Sequence, residues 1–165
     1  MEFWVLVVSY WVHLLSTVIW FGGLVIMGLA GLPSFNRGVL DANQWLALQK
    51  RFVLWVNGSM VLLLITGFVQ MTNDANYNGF LAIDSLWAWA MLLKHLAYGL
   101  LVVITVYLQF GLYPAMERTA VLAHKRPQLA AAEQAKLSRT ASRLLKINLG
   151  CAAFVLLCTA VVTAV

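Results

Sequence analysis

The sequence predicts an all-α protein, a transmembrane four-helix bundle forming a single domain over residues 1–165. Three observations carry this. Of the 165 residues, 62% are hydrophobic and only 10% charged, against roughly 25% charged in soluble domains, and the mean hydropathy is +0.85. Apolar runs recur four times, over about residues 3–32, 52–71, 86–113 and 147–165, each long enough or nearly so to cross a hydrocarbon core about 30 Å thick. All but one of the basic residues fall in the segments between those runs.

The first run, MEFWVLVVSYWVHLLSTVIWFGGLVIMGLAGL, opens on an acid and far exceeds the roughly 7–15 apolar residues of a signal peptide, so a retained first span is expected. Loop one, PSFNRGVLDANQWLALQKR, holds Arg37, Lys50 and Arg51. Loop two, TNDANYNGFLAIDS, holds only Asp74 and Asp84. Loop three, from Pro114 to Lys146, carries seven basic residues, which leaves Lys94, inside the third run, as the only Lys or Arg outside loops one and three. The positive-inside rule therefore places loops one and three in the cytoplasm, with loop two and both termini on the outer side. Pro127 suits the first turn of a helix, and the Ala, Gln, Glu, Lys and Leu content of QLAAAEQAKLSRTASRLLK favours helix, so the fourth helix should extend into the cytoplasm as one long element. Trp4, Trp87 and Tyr113 suit the interfacial ends of spans. A multi-pass protein of the bacterial inner membrane is expected. The net charge of +5 is explained by topology, without nucleic acid. Cys151 and Cys158, seven apart, match no metal-ligand or thioredoxin-type spacing and read as small apolar filler.

The chemistry starts with the histidines. His124, beside Lys125 and Arg126, reads as a solvated loop residue. His13 and His95 each lie about ten residues into their spans, and at ~1.5 Å rise per residue they should share a depth in the outer half of the membrane. Two imidazoles at one depth in a bundle core can hold a haem iron from both sides; a buried histidine can also simply bridge helices by a hydrogen bond. Ser9, Ser16, Thr17, Trp20 and Gly23 form a small, polar stripe around His13, and Met91, Tyr98, Gly99 and Val102 flank His95. Span two offers Asn57, Gly58, Ser59, Thr66 and Gly67. Lys94 points about 100° away from His95. Its charge is costly in hydrocarbon and has three readings: snorkelling to the outer interface, pairing with a haem propionate, or contact with an anionic substrate or partner carboxylate. Asp74 and Asp84 are the nearest acids by topology.

The stretch HLLSTVIWFGGLV, His13 to Val25, resembles the first helix of the copper resistance protein D family, with a His followed seven residues on by Trp and then a small-Gly-Gly turn. VLLLITGFVQM, ending at Met71, is similar to that family's apolar run closing on Thr-Gly, and Lys94 falls where its third helix usually has a lysine. A weaker resemblance, in a first-helix His and a third-helix Trp and Lys, is to the haem-binding protoporphyrinogen oxidases of the HemJ type. There this chain has MGLAGLPSFNRG in place of the expected Pro-Arg segment. The likeness implies a four-span scaffold more than an activity.

The leading expectation is a membrane-embedded haem b protein with His13 and His95 as axial ligands and Trp20, Ser16, Gly23, Met91, Lys94, Tyr98 and Gly99 around the cofactor. Two strong ligands leave the iron no open position, so such a protein carries electrons as a relay or subunit of a respiratory or photosynthetic chain rather than acting as a stand-alone enzyme. A quinol, a periplasmic c-type cytochrome or a larger membrane complex would be its partners, and a homo-oligomer is compatible with the small-residue faces. The alternatives are copper handling through His13, His95 and the Met91 thioether, a cofactor-free structural subunit, and a HemJ-like porphyrinogen oxidation with Met91 in place of His95.

Overall fold

The computed structural model describes residues 3–79, 83–122 and 127–165. Among these the chain is helical, without strands: α1 (Phe3–Val25), α2 (Leu32–Asn36), α3 (Ala42–Thr72), α4 (Leu86–Tyr107), α5 (Tyr113–Leu122) and α6 (Pro127–Ala164). π-Helical segments, Ile26–Gly31 and Leu108–Leu112, join α1 to α2 and α4 to α5 without a break. Four continuous helical stretches result, Phe3–Asn36, Gln44–Thr72, Leu86–Leu122 and Pro127–Ala164, each long and apolar enough to cross a membrane. The all-α four-helix bundle is thus observed, and α6 begins at Pro127 as expected. His124, Lys125 and Arg126 lie outside the described residues.

Two boundaries differ from expectation. The second helix starts about ten residues early, because Asp41 caps it: the Asp41 carboxylate accepts from Gln44 N–H at 2.7 Å while the Gln44 side chain accepts from Asp41 N–H at 3.0 Å, a reciprocal capping box. The third helix continues past Pro114, which ordinarily breaks a helix by clashing with the preceding turn. Here Tyr113 N–H reaches back five residues to Leu108 O, and that wider turn accommodates the ring. Pro33 follows the same device, with Leu32 N–H bonded to Met27 O. The first π segment begins thirteen residues after His13 and the second thirteen after His95, so the parallel between spans one and three extends well beyond the histidines.

α1 packs most extensively on α3, and α4 on α6. The stripe read around His13 is the buried face of α1, where Ser9, Ser16, Trp20 and Gly23 are all enclosed. Apolar residues on the opposite faces, such as Val18, Leu54 and Phe110, lie exposed, as lipid-facing positions do. At the end of the bundle that carries the basic segments, Trp45 stacks on Phe35 with ring centroids 5.5 Å apart and packs with Met27, Leu32, Ile104, Leu112 and Leu145. Some polar groups inside the bundle are paired across helices, whereas others, the indole N–H groups of Trp20, Trp45 and Trp87 among them, have no hydrogen-bond partner among the described residues. Asn57 and Gln109 exchange two amide hydrogen bonds of 2.9 Å, and Asn148 donates to Thr105 at 3.1 Å. Trp4 is exposed, as an interfacial residue should be, but Trp87 is buried and packs edge-on against Tyr77; it faces the protein interior.

The most tightly enclosed glycine is Gly31, where an added Cβ would lie 2.7 Å from Cζ3 of Trp45. Gly31→Val should therefore lower stability by about 1–3 kcal/mol through overpacking, read as a lower midpoint of thermal unfolding in detergent. Gly22→Ala, where a Cβ meets nothing within 4 Å, should raise or leave that midpoint, since Gly costs roughly 0.5–1 kcal/mol within a helix. A midpoint for Gly31→Val equal to that of the unsubstituted protein would refute the tight contact.

Candidate functional site

A chamber of about 170 Å³ opens between the two helix pairs. His13, Trp20, Met91, Lys94, His95 and Tyr98 all line it. The histidines share a depth as expected. His13 packs against the Thr66–Gly67 turn of α3, where a Cβ on Gly67 would lie 3.6 Å from the His13 ring. His95 sits against Phe68 one residue on, with ring centroids 6.1 Å apart. Gly67 thus leaves room for an imidazole, which explains the small residue at that point.

Hydrogen bonds fix how each imidazole presents itself. His13 Nδ1 lies 2.8 Å from Thr66 Oγ1. The single hydroxyl proton of Thr66 is directed to Leu62 O at 2.6 Å, so the threonine oxygen can only accept, and Nδ1 of His13 must carry the proton. His95 Nδ1 lies 2.7 Å from Met91 O; a carbonyl accepts, so here too Nδ1 is the protonated nitrogen. In the neutral form each ring then leaves Nε2 as a free lone pair, and neither Nε2 makes a hydrogen bond among the described residues. An Nδ1–H held by an oxygen is the usual support of a histidine that ligates through Nε2. The Tyr98 hydroxyl is committed to Met60 O at 2.6 Å, tying α4 to α3 beneath the chamber.

Three residues expected at the site do not line it. Ser16 is buried on the same face of α1 but outside the chamber wall. Gly23 lies nearer the basic end, where an added Cβ would meet Val56 at 3.0 Å. Gly99 is on an exposed face with open space about it, because it lies to the side of His95 away from Met91, Lys94 and Tyr98, which line the chamber. Lys94 makes no ion pair or hydrogen bond with a described residue, so neither Asp74, which caps Asn76 N–H, nor Asp84 is its partner. One group that sequence reasoning passed over supports the site and another lies beside it. Thr66, grouped only with the small polar residues of span two, sets the His13 tautomer. Cys158, read as filler, is buried within electrostatic range of Lys94.

A wider cavity of about 280 Å³ adjoins the chamber at the loop-two end, and Met91 and His95 belong to the walls of both. Met71, Tyr77 and Trp87 complete its inner lining, so the chamber is approached from that end past two thioethers. On the other side, beyond Trp20, a cavity of about 40 Å³ is lined by Gln49, Gln109 and Asn148. Its amides offer only hard oxygen and N–H groups. Among the described residues no cluster of three or more His, Cys, Asp or Glu side chains is gathered as a metal site; the chamber's set is two imidazoles and a thioether.

No curated protein and no solved structure matches the chain significantly. A family model, Copper resistance protein D, matches residues 46–162, a stretch that includes Thr66, Met91, Lys94, His95 and the whole of α4 and ends two residues before the end of α6. It starts after the first span, so His13 lies outside it. With most of its length inside that match, and four helices fit to span a bilayer, this multi-pass membrane protein belongs to the copper resistance protein D family.

Proposed function

We propose that the protein handles copper within the membrane, taking up Cu(I) as cargo in the chamber between His13 and His95. The observation that carries this reading is the orientation of the two imidazoles. Both Nδ1–H groups are engaged by oxygen, both Nε2 lone pairs are free, and the Met91 side chain lines the same small space. Imidazole nitrogen and thioether sulfur suit soft copper and offer little to hard cations such as Mg²⁺ or Ca²⁺. His13, His95 and Met91 would hold the ion, Thr66 and the Met91 carbonyl would keep the rings aimed, and the Met71–Met91 side of the adjoining cavity would be the way in. By the charge asymmetry of the loops, that way opens to the outer face.

The haem reading uses the same two nitrogens, and the residues fit it less well. A chamber of about 170 Å³ is below the roughly 300–1,000 Å³ of pockets for drug-sized ligands, and a macrocycle would have to part α1 from α4. Family membership also points to copper.

Purified protein titrated with Cu(I) against a competing chelator should bind one ion per chain. His13→Ala and His95→Ala should each weaken binding by on the order of 100-fold, about 2.7 kcal/mol. Undiminished binding by the double variant would overturn the assignment. A visible spectrum of protein made with ample haem, oxidised and then dithionite-reduced, should show no sharp α and β bands; stoichiometric bands lost in both variants would replace copper by haem b.

Thr66→Val should cost roughly 10-fold in Cu(I) affinity by freeing the His13 ring. Nitrogen NMR of histidine-labelled protein should show His13 as the Nδ1–H tautomer in the unsubstituted protein and a changed tautomer population in Thr66→Val.

A further inference from the structure

Lys94 is the one charged side chain on the chamber wall; no Asp or Glu among the described residues lines it. It lies within electrostatic range of His13 and forms no ion pair or hydrogen bond with a described residue. Three N–H donors therefore face a low-dielectric space without an acceptor assigned to them. The hydroxyls nearby donate to backbone carbonyls, Thr17 to His13 O at 2.8 Å, Thr159 to Val155 O at 2.8 Å and Tyr98 to Met60 O, and none of them accepts a hydrogen bond from Lys94.

The cargo sharpens the problem. His13, His95 and Met91 are neutral ligands, so Cu(I) bound by them keeps its full positive charge. That charge would share one small chamber with the Lys94 ammonium, and like charges repel strongly where water is scarce. A monovalent anion between the two removes the conflict, because it neutralises the metal and accepts from the ammonium at once. The space is small, and besides Lys94 its wall carries one unpartnered donor, the buried indole N–H of Trp20, which favours a monatomic anion over sulfate or phosphate. A soft halide also completes the preference of Cu(I) for soft ligands.

We propose that Lys94 makes the chamber a halide site, so that copper is taken up as a halide-neutralised Cu(I) species and not as the bare ion. The proposal rests on the copper reading for the metal's place but not for the anion's. The competing internal ligand is the Cys158 sulfur, which is within electrostatic range of Lys94 but lies outside the chamber wall.

Bromide serves as the probe. Copper-edge X-ray absorption of Cu(I)-loaded protein in bromide buffer should show a bromide scatterer bound to copper alongside histidine nitrogen and sulfur. In Lys94→Met the bromide should be lost while histidine scattering stays. Replacing gluconate by bromide should tighten Cu(I) binding about tenfold or more in the unsubstituted protein and leave Lys94→Met unchanged. Copper held by nitrogen and sulfur alone in bromide, as a Cys158 thiolate would give, overturns the proposal, as does bromide retained in Lys94→Met. In copper-free protein, chloride NMR line broadening should be present and abolished by Lys94→Met. If copper fails to bind but that broadening is seen, the copper reading falls and the halide site stands; if broadening is absent or independent of Lys94, the halide site falls whatever copper does.

Discussion

Hydrocarbon supplies no hydrogen bonds, so a polar group inside this bundle can be satisfied only from within the protein, a requirement met at the helix contacts and left unmet at buried atoms such as the Trp45 indole N–H. The helices are held to one another largely by how that requirement is met. The Asn57–Gln109 amide pair joins α3 to the π segment after α4, Tyr98 joins α4 to α3, and Asn148 joins α6 to α4. The chain from His13 through Thr66 to the Leu62 carbonyl joins α1 to α3. The last has a chemical by-product. A hydroxyl has one proton to give, and because Thr66 gives it to the backbone, the imidazole is left with one tautomer and one free nitrogen. Structural economy and ligand orientation come from the same bond.

The chamber follows from the pairing of helices. α1 with α3 and α4 with α6 form two tight pairs, and the space is left where the pairs meet, with one histidine from each. Its wall combines neutral donors with a single cation. Like charges repel strongly where water is scarce, so under the copper reading proposed above the wall would disfavour a bare divalent ion.

Much of this was legible in the sequence, and the reasons for success and failure are physical. Spans and the face of α1 were readable because hydrocarbon imposes length and because Ser9, Ser16, Trp20 and Gly23 repeat at helical intervals. The common depth of His13 and His95 followed from rise per residue alone. Gly99 failed because a small residue one turn from a ligand was counted without asking which side of the turn it occupied. Trp87 failed because aromatic belts describe residues in contact with lipid, whereas this indole packs against Tyr77 inside the protein. The partners of Lys94 and the role of Thr66 depend on which side chains meet across helices, and one-dimensional spacing carries no such information. The Asp41–Gln44 capping box was present in the letters and marks where α3 begins.

The equal spacing from each histidine to a π segment and then a proline gives the molecule the layout of two copies of one helix-pair plan, related by an axis running through the membrane. Under that correspondence the two imidazoles are equivalent, but their neighbours are not: four residues before His13 stands Ser9 where the other copy has Met91, and directly before it Val12 where the other has Lys94. The thioether and the charge are thus contributed by the second half alone. The helix plan repeats, and the chemistry of the chamber wall does not.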